Sequence, residues 1–306
     1  MIRVVMFDLG KTLIDGNHQP FPHVETALAA ISDFKTAGGQ ALRSCLVSDF
    51  TMAKPPVTDA KVAALFNEYL AILDGTGLRP FFEPVNKRVT LSTHAGVEKP
   101  DRKIFETALQ RLAADSVKLE ECLFITEEAT HIEKARETLK MKTLQFRSPE
   151  FHQFDFDNWA EAPGLIASLV APHEPANAHA AIKAHLAAQG IEMLASEPAE
   201  SPGTTKFSGQ MWSPISVPGF DDLQEVQVAI PVKGKVTRGR KGKVRSVAPK
   251  QPSAEQVAEA TAFVRSLAMH GQIAGQGKKA PMGPTHEIET DEKGNRRLVR
   301  KRFTAF

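Results

Sequence analysis

Cysteine is scarce: the 306 residues hold two, Cys45 and Cys122. Each stands alone in an apolar segment, so they read as buried thiols rather than as a disulfide or half of a metal site. A reducing cytoplasm is the expected compartment. No apolar run approaches the roughly 20 residues of a bilayer span. The first residues also lack the basic-then-apolar pattern of a secretion signal, so no membrane role is expected. Internal repeats are absent. Net charge is only +2, but it is unevenly spread. Residues 206–306 carry 18 Lys/Arg against 9 Asp/Glu, about +9, which leaves about −7 on residues 1–205. Halves so different in charge are expected to do different jobs, and the length accommodates two domains.

What is present is a regular alternation of strand and helix patterns. Residues 2–7, Ile-Arg-Val-Val-Met-Phe, read as a strand buried on both faces of a parallel sheet. It stops at Asp8, a carboxylate at a strand's carboxyl end, where open α/β sheets place their chemistry. A helix follows with Val24, Leu28 and Ile31 on one face. A second strand over 41–47 ends in Ser48-Asp49. Thr58 is a plausible N-cap for a helix bearing Val62, Phe66, Tyr69 and Leu73. Residues 89–91 form a third strand, and Asp101 caps the next helix. Residues 122–125 form the fourth strand, ending in Thr126-Glu127-Glu128, and 143–146 the fifth. The expected fold is a doubly wound parallel α/β sheet over residues 1–170.

The remainder changes character. Residues 171–220 have linker composition after one short amphipathic pattern (Ile182, Leu186, Ile191, Leu194). Residues 221–306 read as a smaller basic α+β region: a strand over 223–232, a basic loop over 233–250, a helix over 254–269 and a C-terminal hairpin over 286–303. Turning that hairpin at Lys293-Gly294 puts Glu287 opposite Arg300 and Asp291 opposite Arg296, pairing charge within the fold. The basic loop has no such partner. Its Lys233, Lys235, Arg238, Arg240, Lys241, Lys243 and Arg245 could bind a polyanion such as nucleic acid, dock on the acidic half, or remain solvated.

Asp8-Leu9-Gly10-Lys11-Thr12-Leu13 resembles the first motif of the haloacid dehalogenase-like (HAD) superfamily, whose leading Asp is a covalent nucleophile. Ser48 resembles the second motif and Lys99, in Gly96-Val97-Glu98-Lys99-Pro100-Asp101, the third. Residues 123–128 stand where the family has its acidic, Mg-binding fourth motif. The resemblance implies a Mg²⁺-dependent phosphomonoesterase in which Asp8 attacks phosphorus, with Lys99 as the neighbouring catalytic cation. It implies that Ser48, Leu9 and Gly10 hold the phosphate, and that Mg²⁺ sits on Asp8, the Gly10 carbonyl and Glu127. These groups are expected around one pocket, which takes a phosphorylated substrate.

The sequence departs from that pattern. Gly10 replaces the second Asp that usually provides acid–base catalysis, an effect worth roughly 100- to 10,000-fold. Glu127 and Glu128 stand where Asp is usual, and His131 where another acid often lies. Asp49, next to Ser48, would repel a phosphate unless it turns away. The other reading is therefore a degenerate member that kept the fold for binding or scaffolding. Blander roles are open too: a turn-forming Asp8, a solvated Lys99, a helix-capping Ser48, a Glu127 stabilised by a helix dipole. The intervals 8–48 and 48–99 leave no room for a large cap, so the site should be open.

Overall fold

The computed structural model describes residues 1–147, 154–201, 203–239, 241–247, 251–274, 283–291 and 294–301. The buried run of the sequence forms β1 (Val4–Phe7), and each of its residues is buried. Val5 and Phe7 enter one apolar cluster, and Val4 and Met6 enter another. That is the two-residue period of a strand covered on both faces. The chain continues through α1 (Val24–Ser32), β2 (Arg43–Ser48), α2 (Asp59–Thr76), the short α3 (Val85–Arg88), β3 (Val89–Leu91) and the short α4 (Ser92–Ala95). Next come α5 (Arg102–Arg111), β4 (Cys122–Thr126), α6 (Ala129–Glu137), β5 (Lys142–Gln145), α7 (Ala162–Val170) and α8 (Pro175–Ala187).

The five strands are parallel in the order β3-β2-β1-β4-β5. This is the doubly wound, Rossmann/HAD-like arrangement expected from the sequence. Tyr69 and Leu73 of α2 join α1 and α7 on one face, while Ile104 and Phe105 of α5 and Ala135 of α6 cover the other. The caps fall where the sequence placed them: Thr58 accepts from the Lys61 amide and Asp101 from the Lys103 amide. Strand order reverses between β1 and β4, and a crevice opens at such a switch point beyond the strand ends. Asp8 follows β1 there and Glu127 follows β4. Cys45 and Cys122 are both free and buried. Among the described residues no helix is long and apolar enough to cross a membrane.

Two compact units are present, Met1–Ala188 with Arg238–Val244, and Gln189–Thr237 with Arg245–Phe306. The second contains β6 (Ile191–Pro198), β7 (Thr204–Ile215), β8 (Val226–Arg238), β9 (Val244–Val247), α9 (Ala254–Met269), β10 (His286–Thr290) and β11 (Arg296–Arg300). Its sheet runs β10-β11-β8-β7-β6, with β9 on β8.

Three expectations need correction here. Residues 171–220 are not a linker: they form α8, β6 and β7. Phe207, Met211 and Ile215 occupy the buried face of β7 at wide spacing, and the polar residues between them gave the stretch its linker composition. The helical pattern ends at α8, since Ile191 opens β6 and Leu194 is exposed beside a bulge. Finally, the hairpin register differs by one residue: Arg300 faces His286, and Glu287 faces Val299. Asp291 leaves the ladder to bind the Asn295 amide, so the turn holds an odd number of residues.

Candidate functional site

Asp8 and Lys99 are 8% and 7% exposed, yet both carry charge, and the buried charges are paired. The Lys99 ammonium lies 2.5 Å from Asp8 Oδ2. The Thr126 hydroxyl donates to the same oxygen at 3.1 Å, and the Leu9 amide donates to Oδ1 at 2.8 Å. The Asp8 amide is bonded to the Ile125 carbonyl, fixing the end of β1 to β4. Lys99 is aimed by its own backbone, because its amide donates to Asp49 Oδ1 at 2.8 Å. Asp49 is therefore turned toward the Lys99 loop, and its charge stays near enough to act on His131 together with Asp8 and Lys99.

Glu127 extends from the end of β4 and is half-buried. The Thr12 hydroxyl donates to its Oε2 at 2.5 Å and accepts from its amide at 3.1 Å. The Thr126 hydroxyl also donates to Oε2, at 3.3 Å. Burial pushes the Glu127 carboxyl above its ordinary range, and the nearby Asp8 charge pushes it further. Glu128, not Glu127, caps α6 by accepting from Thr130. His131, in the first turn of α6, senses Lys99, Asp8 and Asp49. Burial and Lys99 lower its pKa, and Nδ1 has no partner among the described residues.

Ser48 is buried at the end of β2 and accepts from the Tyr69 hydroxyl at 2.7 Å rather than contacting Asp8. Tyr69 is held well above its usual pKa by burial, with the Asp8 charge adding to the rise. Thr12, Thr126, Tyr69 and Asp49 are the groups whose roles were missed. Thr126 had a usable signal, a hydroxyl ending a buried apolar run at the switch point.

A cleft of about 520 Å³ borders Glu127, with Lys11, Phe21, Phe146, Arg147 and Trp159 in its wall. Asp8, Ser48 and Lys99 do not line this cleft. The donor chemistry still suits a hard cation such as Mg²⁺. The candidate ligands are oxygens, and two like charges lie close enough for Asp8 to raise the Glu127 pKa. No group of three or more His, Cys, Asp or Glu side chains arranged for a metal occurs among the described residues.

The basic run is divided between the units. Lys233 and Lys235 are exposed on β8, and Arg245 is exposed on β9. Arg238 donates to the Pro172 carbonyl, Lys243 pairs with Glu161 at 3.2 Å, and the Lys241 carbonyl accepts from Ser168. The run thus has partners where none was expected. Arg240 lies outside the described residues.

No protein-family model and no curated protein matches the chain. Among solved structures, an uncharacterized protein from Corynebacterium glutamicum is similar over 49% of this chain and 88% of its own. The identity is 15% and the TM-score 0.30.

Proposed function

We propose that the first unit is a phosphate-ester hydrolase of the HAD type. The observation that carries this reading is the buried Asp8–Lys99 pair beside Glu127, built from residues far apart in sequence, at the switch point of a parallel sheet. Asp8 Oδ2 already accepts from Lys99 and Thr126, whereas among the described residues Oδ1 accepts only from the Leu9 amide. Oδ1 thus has a lone pair with which to attack phosphorus, giving an aspartyl-phosphate and expelling the alkoxide, which takes its proton from water; a second water then hydrolyses the acyl phosphate to phosphate and free Asp8. Lys99 offsets the repulsion between an anionic nucleophile and an anionic phosphate. The Ser48 hydroxyl, positioned by Tyr69, and the Leu9-Gly10 backbone serve the phosphoryl oxygens. Asp8, the Gly10 carbonyl and Glu127 would hold Mg²⁺, which when bound neutralises charge on the transferring group. The cleft beside Glu127, with its aromatic wall, accommodates the leaving group.

One observation favours the alternative, a fold retained for binding with catalysis lost: Gly10 leaves no carboxylate to protonate the leaving oxygen. A panel of phosphorylated metabolites assayed with and without Mg²⁺ separates the two. Mg-dependent turnover abolished by Asp8→Asn supports the hydrolase. Equal rates for wild type and variant, or no turnover across the panel, support the binding protein.

A further inference from the structure

β7 and β8 pair from Thr204↔Thr237 to Ile215↔Val226 without a register break, so their two faces can be followed residue by residue. Phe207, Met211, Val228, Ile230 and Val232 lie on the buried face. On the other face Lys206, Ser208, Gln210 and Trp212 succeed one another at period two. Lys235 stands opposite Lys206, and Lys233 opposite Ser208. Arg297 of β11 pairs with Gln227 on this same face, and its guanidinium lies 4.8 Å from the centroid of the Trp212 ring.

Three features of this face call for an anion. Lys206 and Lys235 oppose each other directly, a placement that destabilises a sheet when the charges are alike. Lys233 and Lys235 have no ion pair among the described residues, and Lys206 has only an exposed one, 3.9 Å from Glu197. All three lysines border a cavity of about 560 Å³ whose wall also includes Ala195, Ser208 and one carboxylate, Glu197, so the three cations outnumber the single acid there.

Trp212 specifies the anion further. Its indole N–H donates to Glu192 at 3.3 Å and Arg297 backs its ring, so it is a held platform rather than a loose surface aromatic. It stands roughly 20 Å along β7 from Lys206, at about 3.4 Å per residue. Phosphate-binding cations in line with a stacking group suit an unpaired strand, whose bases offer their faces. A duplex hides those faces, and an acidic peptide would use the lysines but not the stack.

We infer that this open face of the second unit binds single-stranded nucleic acid, with phosphates on Lys206, Lys233 and Lys235 and a base stacked at Trp212 and Arg297. The inference is independent of the hydrolase reading. It moves the polyanion site away from the 238–243 segment, whose Arg238 and Lys243 are already engaged.

The test uses the full chain and labelled oligo-dT and oligo-U of about 12 nucleotides, a length within the site sizes typical of single-strand binders. Affinity is followed from about 50 to 200 mM salt. Three phosphate contacts give a log–log slope near −2, at about −0.7 per phosphate for single strands. The triple variant Lys206→Gln, Lys233→Gln, Lys235→Gln flattens that slope toward zero; all three positions are exposed, so folding is retained. Trp212→Leu weakens binding about 5- to 100-fold with the slope unchanged, and Trp212→Phe recovers most of the loss. Lys243→Gln alters neither quantity. No binding at the lowest salt, equal affinity for a duplex of the same length, or a triple variant with the wild-type slope would overturn the inference.

Discussion

If the first unit is the hydrolase proposed above, Gly10→Asp should increase its turnover. Gly10 is exposed, its φ lies outside the left-handed region, and an added Cβ would meet no atom within 4 Å. The backbone therefore accepts a side chain without strain, and loss of glycine's freedom in the unfolded chain contributes about 0.4–1 kcal/mol of stability. General acid–base help is worth roughly 100- to 10,000-fold, or about 3–5 kcal/mol of barrier. The gain should fall near the lower end, because the new carboxylate joins Asp8 and Glu127, and Glu127 is already pushed up by burial and by Asp8. The same crowding favours the protonated form of the added group, so it keeps its proton for the leaving oxygen to higher pH than an isolated carboxyl would. The assay is initial rate against a phosphorylated substrate with Mg²⁺, run beside the double variant Asp8→Asn, Gly10→Asp. A folded Gly10→Asp protein with no rise in rate, or a double variant as fast as the single one, would refute the reasoning.

Lys99→Met leaves the Asp8 charge buried and unpaired, which should cost about 3–5 kcal/mol by denaturant titration, and adding Asp8→Asn should return most of it. Glu127→Gln keeps the acceptor for Thr12 and removes the buried charge. Because the folded-state pKa of Glu127 is raised, wild type loses stability relative to the variant as pH climbs from the unfolded value near 4.5 through the folded one. Thermal melts of the two should therefore coincide at low pH and diverge toward neutrality, with Mg²⁺ narrowing the gap. Gly164→Ala in α7 drives a methyl into the Gly242 carbonyl and the Val244 side chain, and should lower the melting temperature with a loss of about 1–3 kcal/mol. Burial holds the Cys45 thiol at a pKa of about 12, so it should resist thiol reagents in native protein and react once the chain unfolds.

The first unit was legible because its signals are local and strong. Buried strand runs such as residues 4–7 and 122–126, helix caps such as Thr58 and Asp101, and motif residues at strand ends all sit within short windows of sequence. The site was legible in its charged members, since Asp8 and Lys99 do meet and Glu127 does turn inward. Its hydroxyl groups were not, because Thr12 and Thr126 act through pairings more than a hundred residues apart. The second unit was read less well. The polar open face of β7 hid a strand whose apolar residues line only the other side, and the one-residue hairpin shift depended on how many residues the turn absorbs. Charge runs were the weakest guide: Arg238 and Lys243 find partners that no linear pattern announces.

The first unit is also not one stretch of polypeptide. Arg238–Val244 belongs with Met1–Ala188, although 49 residues of the other unit intervene. On a ribosome adding about 5–20 residues per second, the α7 surface that receives Gly242 waits roughly 3–11 seconds after Ala188 is made before its covering segment exists. Throughout that interval the nascent protein carries Gly164 and Ser168 exposed. A chain severed after residue 188 would keep them exposed permanently, so a cut at that apparent boundary does not yield an intact first unit.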